Sequence, residues 1–401
     1  MTSDSRLPTA DCLSPNPDPV ALAQALIRCR SVTPIEGGAL ALLESVLSPA
    51  GFTCHRLKMT EPGTPDVENL YARLGSTEPH LCFAGHTDVV PPGEESAWSR
   101  PPFGAVVDGG ILYGRGVADM KGGIACFVAA ALDYLAAKGG LERGSLSFLI
   151  TGDEEGPAVN GTPKLLDWLK ARGEELDACI VGEPASTQFV GDGIKIGRRG
   201  YVNVEIVVHG KQGHSAYPQN ADNPIPKLAR MLDQLCAKPL DAGTEHFEPT
   251  SVQPTIIAVP NSATNVIPAS ARANINIRYN DLHTREAIVA WVRGHCEAVA
   301  AEMGARFAIS AFGNGDVFLT QPGPLVATMQ GAIRRVTGKA PALTTSGGTS
   351  DARFIKDVCP VIEVGLRNVT AHQVDEQVPV ADLATLTRIY RGFLEDFFAQ
   401  A

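Results

Sequence analysis

The sequence predicts a layered α/β protein with a mixed, largely parallel sheet flanked by helices, interrupted by an inserted α+β domain. Three observations carry that expectation. Apolar strand-like runs alternate with helix-like segments through the first half of the chain and again at its end. Between them the order changes to β-α-β-β-α-β, the split unit of ferredoxin-like domains. Short runs bearing His, Asp or Glu follow the apolar strands, and open α/β sheets gather ligands beyond the carboxyl ends of their strands.

The elements are read in order. Residues 1–19 form a proline-rich lead with no apolar core, so they do not read as a signal peptide. A helix over Pro19–Arg30 carries an apolar stripe of Val20, Leu22, Ala23, Leu26 and Ile27. A second covers Ala39–Ala50 and is ended by Gly51. The strand candidates NLYARLG, HLCFAGH, GILYGRG, SLSFLIT and DACIVGE then alternate with helices over Gly122–Lys138 and Pro163–Arg172. After residue 200, VNVEIVVHG alternates like a half-exposed strand. A helix over Pro224–Ala237, the strands SVQPTIIAV and ARANINIRY, a helix over Thr284–Glu302 and the strand ARFAISA complete the insertion. A last helix covers Ala381–Phe398. The expected organisation is a catalytic domain in two parts, 1–198 and 314–401, around a domain at 199–313.

Composition bounds the function. A chain of 401 residues suits two or three domains of ordinary size. A formal charge of -10 disfavours a nucleic-acid or anionic-membrane binder, whose footprint would be basic. No apolar run reads as the roughly 18 residues a membrane span needs. The nine cysteines are scattered without a CxxC, which disfavours zinc-ribbon, thioredoxin-type and ferredoxin-type motifs. Their odd number and wide spacing suit reduced thiols and a cytoplasmic location.

Five motifs carry candidate chemistry. In HLCFAGHTDVVPPG a buried strand delivers His86, with Asp88 two residues on. Positions i and i+2 of an extended chain point the same way, so Asp88 can accept the second ring N–H of a metal-bound His86. A hydrogen-bonded histidine at a strand end is the simpler alternative. In LYGRGVADMKGG, Asp119 precedes an apolar helix and by itself reads equally as an N-cap. In SLSFLITGDEEG a strand runs into Asp153, Glu154 and Glu155, which suit either a solvated turn or a metal ligand beside a proton carrier. LDACIVGEP ends on Glu183, and VIEVGLRNVTAHQVDE places His372 after a strand.

Taken jointly, two imidazoles and three carboxylates suit a pair of borderline divalent ions better than Mg²⁺ or Ca²⁺. Two such ions bring four positive charges. Three carboxylates and a bridging hydroxide balance them and leave an activated nucleophile in place.

GHTDVVPPG, GRGVADMKGG, TGDEEG, VGEP and the late His372 resemble the M20 metallopeptidases, di-zinc amidohydrolases, in the right order from about residue 20 to 400. The resemblance implies a zinc-peptidase-like catalytic domain with a ferredoxin-like lid and dimerisation domain. It implies one Zn²⁺ on His86, Asp119 and Glu183 and another on Asp119, Glu155 and His372, with Co²⁺ able to substitute. It further implies Glu154 as general base, Asp88 as the orienter of His86, and a cis peptide after Asp119. His214 in KQGHSAYP matches a histidine that stabilises the oxyanion across a homodimer.

Within the family, IKIGRRG, KQGHSAYP, ATNVIP, NIRYN and TSGGTSDARF are similar to members that hydrolyse N-succinyl-LL-2,6-diaminopimelate to succinate and LL-2,6-diaminopimelate. Acetylornithine deacetylases, aminoacylases and carboxypeptidases are the near alternatives. A dianionic substrate needs a local cationic pocket, for which Lys195, Arg198, Arg199 and Arg278 are available. The resemblance implies Arg198 and Arg278 on substrate carboxylates, with Tyr217, Asn265, Gly348, Thr349 and Asn368 as neighbours. Two positions depart from the pattern. Thr264 stands where some relatives have Asn, and Tyr201 stands where many have Ser.

Overall fold

The computed structural model describes residues 18–399, so residues 1–17 of the proline-rich lead, with Cys12, lie outside the described residues. The chain divides into two compact units. The first comprises Met1–Ile196, Thr320–Thr344 and Ser350–Ala401, and the second Gly197–Leu319 with Thr345–Thr349. The inserted unit therefore runs beyond the expected 199–313 at both ends. Its two chain ends are tied together, because Gly197 and Arg198 pair antiparallel with Leu319 and Phe318.

The first unit is built on an eight-stranded sheet. Its strands in chain order are β1 (Thr53–Met59), β2 (Val67–Gly75), β3 (His80–His86), β4 (Ser145–Thr151), β5 (Ala178–Val181), β6 (Gly193–Lys195), β7 (Ala342–Thr344) and β8 (Val361–Glu363). The spatial order is β1-β2-β4-β3-β5-β8-β6-β7. Strands β4, β3, β5 and β8 are mutually parallel neighbours, and so bring their carboxyl ends to one edge. Every residue of β3 and β4 is buried, which explains their unbroken apolar runs. Phe83 of β3 stacks on Phe127 of the helix Gly122–Lys138 at 4.2 Å, and Tyr390 of the last helix packs edge-on to both rings.

Three expectations need correction. GILYGRG does supply a strand, Ile111–Tyr113, but it joins a separate three-stranded antiparallel sheet with Val106–Asp108 and Gln377–Pro379. The edge strand β1 went unread, because its residues are half-buried or exposed and show no apolar run. The segment Val117–Lys138 is also apolar and long enough to cross a membrane by length and composition. It is 83% buried inside the fold and packs against the last helix, so here the apolar length belongs to a core helix.

The second unit has the split order read from the sequence. Strands Gly200–His209, Ser251–Ala258, Ser270–Tyr279 and Arg306–Gly315 form one antiparallel sheet, with the first and third at its centre. Strand Gly200–His209 alternates buried and half-buried residues. Its Val202, Val204, Ile206 and Val208 share a core with Leu228 and Met231 of the helix Pro224–Cys236 and with Ile288 and Val292 of the helix Arg285–Met303.

Candidate active site

The carboxyl edge of the first unit's parallel strands gathers the acidic and imidazole side chains. β3 ends on His86 and lies in register with Thr151, the last residue of β4. Asp153, Glu154 and Glu155 follow β4, Glu183 follows β5, and His372 lies in the loop beyond β8. Asp119 comes from the segment that enters the helix Gly122–Lys138 and precedes the expected cis peptide, Asp119–Met120. That segment packs closely on the strand ends. A Cβ on Gly123 would lie 2.5 Å from the carbonyl oxygen of Gly182, and one on Gly85 would lie 2.4 Å from Met120 Cε. The glycines of GHTD, VGEP and MKGG therefore let Asp119 reach the edge.

His86 Nε2 lies 3.2 Å from Asp119 Oδ1 and 3.5 Å from Glu183 Oε1. His372 Nε2 lies 2.7 Å from Glu155 Oε1 and 3.4 Å from Asp119 Oδ2. Asp119 thus turns one oxygen to each imidazole. His86 and Glu183 also approach Glu154 closely enough for the three to share an ion, as do His86, Asp119 and Glu155.

The role expected of Asp88 needs revision. His86 Nδ1 lies 2.9 Å from the Asp88 main-chain carbonyl and 3.7 Å from its carboxylate. A carbonyl only accepts, so Nδ1 carries a proton; in a neutral ring Nε2 would then be left with its lone pair. The main chain of Asp88, rather than its side chain, orients the ring. The carboxylate instead accepts the N–H groups of Glu154 at 3.3 Å and Glu155 at 3.1 Å. It fixes the two acidic residues after β4. The extended chain does point Asp88 and His86 the same way, but two N–H groups from the neighbouring strand end compete for its oxygens.

The electrostatics are those of crowded, buried carboxylates. Burial, followed by the charge of Glu183, holds the Glu154 carboxyl well above the usual range. Burial raises Asp88 to about 7. Burial opposes ionisation of Asp119, but the hydrogen bonds from His372 and His86 outweigh it and hold that carboxyl low. Hydrogen bonds to Asp119 and Glu155 raise His372 to about 10. His86 is buried, which acts to lower it, yet its bonds to Asp119 and Glu183 leave it well above its ordinary value. The imidazoles thus face a field that favours positive charge. With Nε2 of both rings converging on carboxylate oxygens, the donor set fits divalent cations that accept nitrogen and oxygen together.

Several supporting residues escaped the sequence reading. Lys121 is fully buried, and its Nζ donates to the carbonyls of Leu26 at 2.9 Å and Cys29 at 2.8 Å, at the end of the helix Pro19–Arg28. Burial lowers it to about 8. Asp153, which the sequence did single out beside Glu154 and Glu155, accepts the N–H groups of Val159 and Asn160. Arg115 and Glu376 form a buried pair at 2.7 Å. Arg115 and Lys121 stand inside GRGVADMKGG, and Glu376 ends VTAHQVDE, so their motifs were legible although their partners were not.

In the second unit the remaining candidates fall into two groups. Arg198 Nη1 donates to the Gly348 carbonyl at 2.6 Å, and Arg278 Nη1 to Thr349 Oγ1 at 3.2 Å. The Arg278 guanidinium lies 5.0 Å over the Tyr201 ring. Burial, and then the nearby Arg199 and Arg198, pull it below its ordinary pKa against the pull of Tyr201. Arg199 pairs with Glu248 at 3.3 Å. The other group is a short ribbon in which His214 pairs with Val266. The N–H of Ser215 donates to the Asn265 carbonyl at 2.9 Å, and the His214 and Tyr217 rings lie 5.7 Å apart. His214 Nδ1 accepts the Ala216 N–H at 3.0 Å, so neutral His214 carries its proton on Nε2. Asn368 belongs to the first unit, where its N–H donates to the Ser186 carbonyl at 3.1 Å.

Known proteins resemble this chain over nearly its whole length. A succinyl-diaminopimelate desuccinylase of Rhodopseudomonas palustris strain TIE-1 is 55% identical over 390 residues, covering 96% of this chain and 100% of that protein. Another, from strain HaA2, is 56% identical over 384 residues, covering 94% and 98%. A tripeptidase of Staphylococcus aureus of known structure superposes with a TM-score of 0.78 at 20% identity, covering 95% of this chain and 98% of that one. The model of peptidase family M20/M25/M40 matches residues 82–396, and the chain belongs to that family.

Proposed function

We propose that this chain is a metal-dependent amide hydrolase that removes the succinyl group from N-succinyl-LL-2,6-diaminopimelate. The observation that carries the reaction type is the convergence of His86, Asp119, Glu155, Glu183 and His372 around Glu154 at one sheet edge. The near full-length likeness to proteins named as desuccinylases supports the acyl group.

In this reading His86, Asp119 and Glu183 hold one Zn²⁺, and Asp119, Glu155 and His372 hold the other, with Co²⁺ able to replace them. When bound, such a pair lowers the pKa of a water and polarises the amide carbonyl. Glu154 takes the proton as the water oxygen attacks the carbonyl carbon. The C–N bond then breaks, and Glu154 returns the proton to the leaving nitrogen. His214 has its Nε2 proton free of the Ala216 contact, which supports a role as oxyanion donor. Arg198 and Arg278 are the proposed partners of the substrate carboxylates, and Tyr217, Asn265, Gly348, Thr349 and Asn368 are proposed as further substrate-binding residues.

The protein is proposed to act as a cytoplasmic homodimer. The eight described cysteines are all free, as suits a reducing compartment, and the edge strand Ser251–Ala258 exposes Ile256 and Ile257. The deciding experiment measures hydrolysis of N-succinyl-LL-diaminopimelate and N-acetylornithine side by side. Preference for the first is expected. Preference for the second would replace the desuccinylase reading with that of a deacetylase and leave the mechanism standing.

A further inference from the structure

We propose that Glu376 is a positioning residue that locks the segment bearing Asp119 to the loop bearing His372, and thereby sets how tightly the metal pair is held. This rests on the metal-dependent reading above.

Glu376 is fully buried. Its Oε1 accepts the N–H of Ala118 at 2.8 Å and of Asp119 at 3.2 Å. Its Oε2 accepts the N–H of Gly116 at 2.8 Å and Arg115 Nη1 at 2.7 Å. Its main-chain carbonyl accepts the N–H of Gly114 at 2.9 Å. One residue thus satisfies four of the six main-chain donors from Gly114 to Asp119. These donors lie in the segment that leads into the helix Gly122–Lys138.

The next residues strengthen the tie. Gln377, Val378 and Pro379 pair antiparallel with Tyr113, Leu112 and Ile111. Four positions before Glu376 stands His372. The carboxylate therefore joins the Asp119 main chain directly to the loop from which His372 approaches Asp119 Oδ2 at 3.4 Å. Arg115, itself buried, supplies the opposite charge that a buried carboxylate requires and lies over the Trp98 ring at 5.1 Å.

Glutamine at this position keeps the volume but turns an NH₂ toward one pair of donors. Those two N–H groups then lose their acceptor, and the Asp119 segment moves to find another. Outer residues that fix metal ligands typically contribute about 10–100-fold to metal affinity.

The test loads full-length wild type, Glu376→Gln, Glu376→Asp and Arg115→Gln with Co²⁺ and withdraws the metal with a competing chelator. Visible absorption bands and bound cobalt are followed together. Glu376→Gln is expected to surrender cobalt at about 10–100-fold lower chelator concentration, with altered bands. Glu376→Asp and Arg115→Gln are expected to shift in the same direction by less. Unchanged retention and unchanged bands in Glu376→Gln would overturn the proposal. If that variant does not fold, unchanged retention in the other two overturns it. Failure of the wild type to take up cobalt would overturn the metal reading itself, a result separable from equal retention by all variants.

Discussion

The candidate site residues of the two units carry opposite charge and are held in different ways. At the strand ends of the first, buried carboxylates are pinned by main-chain N–H groups: Asp88 by Glu154 and Glu155, Asp153 by Val159 and Asn160, and Glu376 by Gly116, Ala118 and Asp119. In the second, Arg198 and Arg278 rest on a loop carbonyl, two side-chain oxygens and an aromatic face. Several main-chain donors gathered on one buried carboxylate hold each other in place, whereas single loop and rotamer contacts adapt. The first arrangement suits chemistry that demands fixed geometry, and the second suits recognition of a flexible anionic substrate.

The acidic cluster is tested most severely by taking the metal away. Chelation should abolish hydrolysis, and added Zn²⁺ or Co²⁺ should restore it. Full activity in chelator would end the account of why two imidazoles and so many carboxylates share one edge. Glu154→Gln comes next. The variant should retain metal, since none of the proposed ligands changes, yet lose about 10²–10⁴-fold in kcat. Metal content and turnover, measured on one preparation, separate a proton carrier from a ligand. Loss of metal in this variant would move Glu154 into the ligand set beside His86 and Glu183.

How much of this contrast was legible in the sequence differs between the two units. Fully buried β3 and β4 announce themselves by unbroken apolar runs, and the residues just beyond them are easily placed at strand ends. The alternation of Gly200–His209 is equally plain. Hydrogen-bond partners distant in sequence are not. Nothing local says that the Asp88 carboxylate turns to residues 154 and 155, or that Glu376 reaches back to Ala118, because neither partner is fixed until the strands are ordered. The same holds for Ile111–Tyr113, whose pairing with Gln377–Pro379 spans most of the chain. The half-exposed edge strand β1 had no periodic signal to read.

The cationic cluster should fail differently. Arg278→Met is expected to lower kcat/KM by about 30–150-fold, mainly through KM, as loss of a buried charge-assisted contact typically costs about 2–3 kcal/mol. Metal retention should stay at the wild-type level. An unchanged KM would remove Arg278 from substrate binding and leave it as a structural partner of Thr349 and Asn276.

The smallest expected effect tests whether the cluster is tuned as well as charged. Tyr201 lies across from Arg278 on one side of its strand and across from Gly315 on the other. A Cβ on Gly315 would come within 2.4 Å of Tyr201 Cδ1, so that glycine makes room for the ring. The ring in turn presents its face to the guanidinium at 5.0 Å. A cation–π contact at a half-exposed site is worth about 0.5–1 kcal/mol, so Tyr201→Ser should lower kcat/KM for the succinyl substrate by about 2–5-fold. The same change empties the space of a ring, and a glutaryl analogue, one methylene longer, should gain relative to succinyl. Rates on the two acyl chains, compared in both proteins, check this directly. A fall shared equally by both chains would mean that Tyr201 only steadies Arg278. A shift in their ratio would mean that it also sets the length of the acyl group the enzyme accepts.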